Sequence, residues 1–238
     1  CRSGHSGHSC GAAARIVPMT GRLNDRRTTP ANGRVAARHL EGVVAADHYV
    51  DGVVKSVTAT AAFLRASAGG KPDRQILLGE AVTLYETRDD WGFVQAGKDA
   101  YVGWIEVAHL GDPQTPTHRV ARRHTLAFEA PDIKSPMLFR PPFGARLKVT
   151  GTDGIWSAIT VSGQPPAWVR SDHLRPVSSV EDDPVEVATR FLGTPHLWAG
   201  NTGDGLDCSG LVQAALLACG IPCPGDSDLI ENTVGDPL

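Results

Sequence analysis

Two stretches of sequence decide the fold: GEAVTLYETRDDWGFVQAGKDAYVGWIEVAHL at residues 79–110 and GARLKVTGTDGIWSAITVSGQPPAWVRSDHL at residues 144–174. In each copy a tryptophan follows the first glycine by twelve residues, and each copy ends in His-Leu. Short runs that alternate apolar and polar residues are separated by turn-forming clusters, which is typical of short strands joined by tight turns. The copies begin 65 residues apart, so the pattern predicts two small β-barrel-like domains and not a solenoid.

Composition and charge exclude several classes of function. The 238 residues are 41% hydrophobic and 21% charged, which is ordinary for a globular protein. A net charge of -3 gives no electrostatic basis for binding nucleic acid, whose phosphates require a basic surface. No apolar run approaches the roughly 20 residues of a membrane-spanning helix, and the first residues lack the apolar core of a secretory signal. We therefore expect a cytoplasmic protein that binds neither nucleic acid nor membrane.

The N-terminal residues contain a possible metal-binding pattern. Residues 1–10 include two cysteines and two histidines, which are common zinc ligands. We interpret them as a loose segment, because a metal site needs ligands that a folded core holds in place. Met19 is the first methionine, and residues 1–18 are interpreted as lying outside the native protein. Five cysteines at irregular spacing fit a reducing compartment, and we expect no metal and no cofactor.

A cysteine at the start of a short helix is the candidate for chemistry. In GDGLDCSGLVQAALLACG, residues 203–220, Asp207 is a good helix cap and the apolar residues that follow have helical spacing. Cys208 would lie in the first turn, where free N–H groups and the helix dipole favour negative charge. The sequence therefore predicts that Cys208 is a thiolate nucleophile. Cys219 and Cys223 are interpreted as structural.

The sequence around this cysteine resembles a known family. GTPHLWAGNTGDGLDCSGLVQ, residues 193–213, closely resembles the signature of NlpC/P60 cysteine peptidases, and IPCPGDSDL, residues 221–229, resembles a later segment of the same family. Gly-Trp-Ile at 103–105 and, more weakly, Ala-Trp-Val at 167–169 resemble the late strand of bacterial SH3 (SH3b) domains. The resemblance implies an α+β fold, in which two small SH3-like β-barrels precede the N-terminal helical part of a papain-like NlpC/P60 domain.

The predicted domains follow from the repeats and from this resemblance. They are an irregular N-terminal segment at 1–49, a first SH3b-like domain at 50–115, a second at 118–176, and an incomplete NlpC/P60 peptidase domain at 183–238.

The resemblance implies a bacterial thiol protease that acts on cell-wall peptides. Its substrate would be a peptidoglycan-derived peptide, L-Ala-γ-D-Glu-diamino acid. Cys208 would attack the γ-D-glutamyl carbonyl and form an acyl-enzyme, which water hydrolyses. Trp198 would form one wall of the substrate groove. The other residues that the resemblance assigns to substrate binding in this part of the chain are Asp207, Ser209, Asp226 and Ser227.

The first repeat has two residues that suit a bound amine. In relatives that require a free L-Ala amine, an acidic residue and a tyrosine of the first SH3b domain join an aspartate in holding the ammonium. The resemblance assigns these roles to Glu80, Tyr101 and Asp226. The second repeat has Ala145 and Pro165 at the matching places, so the fold does not require a carboxylate or a phenol there. A carboxylate is the natural partner of an ammonium group.

Two residues depart from the family signature. His196 replaces a tyrosine that helps near the oxyanion, and a histidine there either substitutes as a donor or weakens catalysis. Ala199 replaces a glycine, which tightens the loop if the position needs a positive φ.

The base that a cysteine peptidase needs is not evident. In NlpC/P60 enzymes it is a histidine tens of residues beyond the cysteine, but no histidine follows Cys208 in this sequence. We interpret the chain as a fragment that ends before the catalytic histidine, and we expect it to be inactive by itself. Two alternatives stay open. One is a non-catalytic module that binds cell-wall peptides through a degenerate peptidase domain. The other is a redox or metal protein that uses Cys208, Cys219 and Cys223.

Overall fold

The computed structural model describes residues 25–235 of the chain. Its first element pair is β1 (Val35–Ala37) and β2 (His48–Val50), which are parallel and are connected through a short 3-10 turn. The segment 1–49, predicted to be irregular, thus contains two three-residue strands within its described part. Order arises there because Ala36, Ala37 and Leu40 are buried in a small cluster against Tyr85 of a later strand.

A seven-stranded sheet follows, here called the first sheet. Its strands are β3 (Val53–Val57), β4 (Ala61–Arg65), β5 (Pro72–Leu77), β6 (Ala81–Arg88), β7 (Trp91–Ala96), β8 (Val102–Glu106) and β9 (Leu110–Gly111). The second sheet has the strands β10 (His118–Val120), β11 (Ala127–Phe128), β12 (Met137–Phe139), β13 (Arg146–Asp153), β14 (Trp156–Thr160), β15 (Ala167–Arg170) and β16 (Leu174–Pro176). In both sheets, strands counted along the chain lie in the spatial order third, second, sixth, fifth, fourth, first, seventh. The sequence repeat is thus a repeat of topology.

Neither sheet is a closed barrel. The hydrogen-bonded order ends at β5 and β9 in the first sheet and at β12 and β16 in the second. The predicted closure of both units into barrels is therefore not observed. In the first sheet the physical reason is visible, because the outer edge of β5 is covered by another part of the chain: the Gln75 amide donates to the Ala199 carbonyl over 2.9 Å. The cover takes up the amide and the carbonyl of Gln75, so these groups do not pair with a further strand.

The glycine that opens each repeat has a positive φ, 76° at Gly79 and 82° at Gly144. At Gly79 the two sheets also meet, because the Arg146 amide donates to the Leu78 carbonyl over 2.8 Å. A Cβ atom on Gly79 would come within 1.9 Å of the Arg146 carbonyl oxygen. Glycine is therefore required there by both the backbone conformation and the contact.

The last part of the chain is helical. It contains α1 (Pro184–Thr189), a hairpin of β17 (Asn201–Thr202) and β18 (Gly205–Leu206), α2 (Cys208–Ala218) and α3 (Ser227–Glu231). The predicted cap of α2 is confirmed, because Asp207 accepts from the Gly210 amide, and α1 begins with a cap of the same kind, in which Asp183 accepts from the Val185 amide. The buried faces of α1 and α2 share a cluster with Phe143 of the second sheet. None of the helices in residues 25–235 has the length and apolar character to cross a membrane.

Candidate active site

Cys208 is the first residue of α2, and it is exposed. The preceding residue, Asp207, holds the first turn: its Oδ1 accepts from the Gly210 amide over 2.6 Å and from the Ser209 hydroxyl over 2.9 Å. The side chain of Ser209 is buried and points into this cap. The predicted roles of Asp207 and Ser209 in binding substrate stay predictions, whereas their contacts show that both shape the turn that carries the thiol.

Cys208 and His196 line the same surface depression, together with Asp207. The remainder of its wall is mostly apolar and consists of Ala188, Phe191, Leu192, Gly193, Thr194, Leu206 and Leu211. His196 is bridged to Leu206, two residues before the cysteine, because the Leu197 amide donates to the Leu206 carbonyl. Among the described residues of this wall, His196 is the one imidazole. The depression thus brings together the Cys208 thiol and the His196 imidazole.

Arg74 of the first sheet is bonded to the turn at residues 207–210, here called the cysteine turn. This residue was not predicted from the sequence. Its side chain is fully buried, and Nη1 donates to the Ser209 hydroxyl over 3.1 Å and to the Gly225 carbonyl over 2.6 Å. Nη2 donates to Gln213 of α2, and Nη1 lies 3.8 Å from the Asp207 carboxylate. The guanidinium therefore ties β5 to both segments that carry candidate site residues. The sequence did offer one signal for a buried charge, which is an arginine two residues before the apolar run 76–78.

The loop before the cysteine is built on the edge of β5. The Asn201 amide donates to the Gln75 side chain over 2.8 Å, and the Trp198 indole donates to the Pro72 carbonyl over 3.1 Å. Trp198 is 72% exposed, as a residue of a groove wall can be. Ala199 has a φ of 62°, so this position does need a positive φ. The expectation that alanine tightens the loop at this position therefore has a physical basis.

Tyr101 and Asp226, predicted to act together, are in contact. The Tyr101 hydroxyl donates to Asp226 Oδ2 over 3.1 Å. Burial raises the pKa of Tyr101 far above its ordinary value, and the charges of Asp226 and Asp73 raise it further. The phenol is therefore a fixed neutral donor. Ser227, the next residue, is exposed at the start of α3, and its predicted contact with substrate stays a prediction.

Glu80 does not join this pair in the structure. Its carboxylate lies 3.0 Å from the Lys98 ammonium and accepts from the Leu77 amide over 3.0 Å. The tight turn at Gly79 folds the side chain back onto its own strand end. Glu80 is thus paired with Lys98 here, and its predicted role beside Tyr101 and Asp226 in holding an ammonium stays a prediction. The carboxylate whose charge acts on Tyr101, besides Asp226, is that of Asp73.

The Asp73 and Asp226 carboxylates are paired with two arginines of the N-terminal turn. Arg26 Nη1 lies 2.7 Å from Asp73 Oδ2, and Arg27 Nη1 lies 2.7 Å from Asp226 Oδ2. Sequence reasoning did not anticipate these contacts, because the residues are far apart in the chain. They place positive charge beside the predicted amine site.

The other two cysteines of this region are less available than Cys208. Burial raises the pKa of the Cys223 thiol to about 11 and also raises that of Cys219. Among residues 25–235, no group of three or more His, Cys, Asp and Glu side chains is arranged to hold a metal ion. The Cys- and His-bearing residues 1–10 lie outside the described part of the chain.

Comparison with known proteins agrees with the geometry. Residues 64–110, within the first sheet, match the family described as the bacterial dipeptidyl-peptidase Sh3 domain. The chain is 27% identical over 178 residues to the gamma-D-glutamyl-L-lysine dipeptidyl-peptidase of Bacillus cereus, covering 66% of this chain and 53% of that protein. It is 27% identical over 184 residues to the protein of the same name from Bacillus subtilis, covering 69% of this chain and 59% of that one. The aligned region thus spans a little over half the length of these curated relatives.

A solved structure shares the fold. The crystal structure of an NlpC/P60 family protein from Bacillus cereus superposes with a TM-score of 0.65 at 21% identity, covering 76% of this chain and 77% of that one. The assignment of the second sheet as a further SH3b domain stays a prediction. The chain is therefore similar to the bacterial dipeptidyl-peptidase Sh3 domain over residues 64–110, is homologous to proteins named gamma-D-glutamyl-L-lysine dipeptidyl-peptidase over about two thirds of its length, and shares the fold of an NlpC/P60 family protein over 76% of its length.

Proposed function

We propose that this chain carries the nucleophile and the peptide-binding surface of a cysteine peptidase that hydrolyses γ-D-glutamyl–diamino acid bonds in peptidoglycan peptides. The observation that carries the proposal is the exposed Cys208 thiol at the first turn of α2, in a depression that it shares with His196. Homology to dipeptidyl-peptidases named for the γ-D-glutamyl-L-lysine bond supports the choice of substrate.

The proposed reaction begins with attack of the Cys208 thiolate on the γ-carbonyl carbon. The C–S bond forms, the C–N bond to the diamino acid breaks, and the leaving amine takes up a proton from the solvent that reaches the exposed Cys208. Water then hydrolyses the thioester. The Asp207 cap, which accepts from the Gly210 amide, holds in place the first turn of α2 that carries the thiol. His196 is the candidate donor to the oxyanion that develops on the carbonyl.

The amine end of the substrate would bind at Tyr101 and Asp226. Asp226 is only partly buried, and its Oδ2 accepts from the Tyr101 phenol and from Arg27, so an ammonium would bind at Oδ1 or replace Arg27 at Oδ2. Asp73 is a second candidate acidic partner from the first sheet, besides Glu80, because its charge acts on Tyr101 together with that of Asp226.

The test uses a substrate analogue that reacts with the thiol without needing turnover. We expect L-Ala-γ-D-Glu with a vinyl sulfone in place of the scissile amide to add one label at Cys208, located by peptide mass spectrometry. The Cys208→Ser variant should take up no label, and the analogue with an α-L-Glu linkage should react at least tenfold more slowly.

Two results would contradict the proposal. One is label on Cys219 or Cys223, and the other is equal reaction with both linkages. Saturable binding of the γ-linked peptide without any labelling would instead support the alternative of a non-catalytic peptide-binding module.

A further inference from the structure

The inference concerns the turn at residues 25–29, which covers the Asp226 carboxylate. Arg27 is its central residue: Nη1 donates to Asp226 Oδ2 over 2.7 Å and to Asp228 Oδ1 over 2.8 Å. Nη2 donates to Asp228 Oδ2 over 2.7 Å. The guanidinium thus binds two carboxylates at the start of α3, those of Asp226 and Asp228. On Asp226 it shares Oδ2 with the Tyr101 hydroxyl.

The turn is held against the first sheet. The Val102 amide donates to the Arg27 carbonyl over 2.7 Å, directly after Tyr101 in the chain. Asp25 orients the guanidinium from within the turn, because its carboxylate accepts from Nε and Nη2 of Arg27. Arg26 adds an ion pair to Asp73, on the side of the first sheet.

This contact fills the place that an ammonium would take. A carboxylate oxygen that accepts from a phenol and from a guanidinium offers little to a further cation. The charge is nevertheless not balanced, since four carboxylates, those of Asp25, Asp73, Asp226 and Asp228, surround two guanidiniums. Removal of the arginines would therefore leave a strongly anionic cluster beside the buried phenol.

We propose that Arg26 and Arg27 are specificity-determining residues, which occupy the Asp73 and Asp226 carboxylates from within the chain and so set how strongly a free amine is bound. The identity of this cluster as the amine site rests on the proposed function. That Arg26 and Arg27 occupy the Asp73 and Asp226 carboxylates follows from their ion-pair contacts alone.

The occupying turn can be displaced. Arg26 and Asp228 are more than half exposed, whereas the Tyr101 phenol beneath the turn is buried. The partly exposed Arg26–Asp73 and Arg27–Asp228 pairs contribute little net free energy and weaken as salt screens them, so the mostly buried Arg27–Asp226 pair is the main contact to be displaced. An incoming cation competes with the arginines for the same oxygens and does not have to open the core.

The experiment measures binding of a simple amine. L-Alaninamide is titrated by NMR into the Cys208→Ser protein and into the same protein with Arg26→Ala and Arg27→Ala, with N-acetyl-L-alaninamide as the neutral probe. We expect L-alaninamide to bind at least tenfold more tightly to the arginine variant, and the neutral probe to bind equally to both. Arg38→Ala is the matched control, because Arg38 forms an exposed ion pair with Asp51 away from the cluster.

A second variant guards against misfolding. Asp228→Asn weakens the hold on Arg27 without altering Asp73, Asp226 or Tyr101, and we expect an intermediate gain in amine affinity. An unchanged or reduced affinity in both variants would overturn the proposal, as would a gain that the neutral probe shares. Because the probe has no γ-glutamyl bond and the test protein has no thiol at 208, this result is independent of the labelling that tests the peptidase.

Discussion

The two sheets have the same strand order but meet the cysteine-bearing part of the chain in different ways. In the first sheet, Arg74 lies five residues before the glycine that opens the repeat; in the second, the residue at that spacing is Phe139. Arg74 is bonded to the cysteine turn, whereas Phe139 packs within the core of its own sheet. The two sheets share a topology but differ in role. The first sheet holds the candidate site, and the second sheet supports the helices.

A second difference lies before the late strand. Tyr101 in the first sheet donates to Asp226, while the second sheet has Pro165, which has no donor to offer. The comparison teaches that the site residues are additions to a shared strand order and not requirements of it. Four experiments test these differences, from the largest expected effect to the smallest.

The largest effect is expected for Arg74→Met. The change leaves the Gly225 carbonyl, Ser209 and Gln213 without their buried donor, so we expect a loss of about 3–5 kcal/mol in the free energy of unfolding. Phe139→Leu, at the matching position of the second sheet, should cost about 1–2 kcal/mol. Urea unfolding followed by tryptophan fluorescence measures both. Equal losses would mean that the two positions are equivalent in energy despite their contacts.

The next largest effect is the order of thiol alkylation. With a pKa of about 11, Cys223 has fewer than about one thiolate in a thousand molecules at pH 7.5, and the pKa of Cys219 is also raised. We expect iodoacetamide to label Cys208 at least a hundredfold faster than Cys223 at pH 7.5. Because a raised pKa keeps the thiol protonated at neutral pH, the Cys223 rate should climb as the pH rises towards 11. Faster labelling of Cys223 than of Cys208 at pH 7.5 would refute the assignment of the nucleophile.

Tyr101→Phe tests the donor that the second sheet lacks. The loss of one hydrogen bond to a charged acceptor should lower the free energy of unfolding by about 1.5 kcal/mol. Tyr85→Phe is the matched control on the same sheet, since its hydroxyl donates to the neutral Gln95 side chain over 3.2 Å. The control should cost less. A larger loss for Tyr85→Phe would place the more important phenol away from the candidate site.

The smallest effect is expected for Ala199→Gly. Glycine relieves the positive φ of this residue, and the loss of one buried methyl group offsets part of the gain. We expect a net stabilisation of about 0.5 kcal/mol. Ala214→Gly, in the middle of α2, should instead destabilise the protein by about 1 kcal/mol. A destabilised Ala199→Gly variant would show that the methyl group matters more than the backbone strain.

The features that the sequence determined are local. The caps at Asp183 and Asp207, the position of Cys208 in the first turn of α2 and the strands of both repeats depend on residues within a few positions of one another. Helix capping and strand alternation act over such distances, so their patterns can be read directly. The positive φ at Ala199 was open to the same reasoning.

The tertiary structure alone decided which charges meet. Arg74 reaches Ser209 across 135 residues, and Arg27 reaches Asp226 across 199. Glu80 pairs with Lys98 and not with the tyrosine that the family resemblance placed beside it. An ion pair depends on distance in space and on burial, and neither is encoded in the spacing of the residues along the chain. The edge of β5 is also a tertiary feature. It is bonded to the loop before Cys208, at Ala199, and it does not pair with a strand that would close a barrel.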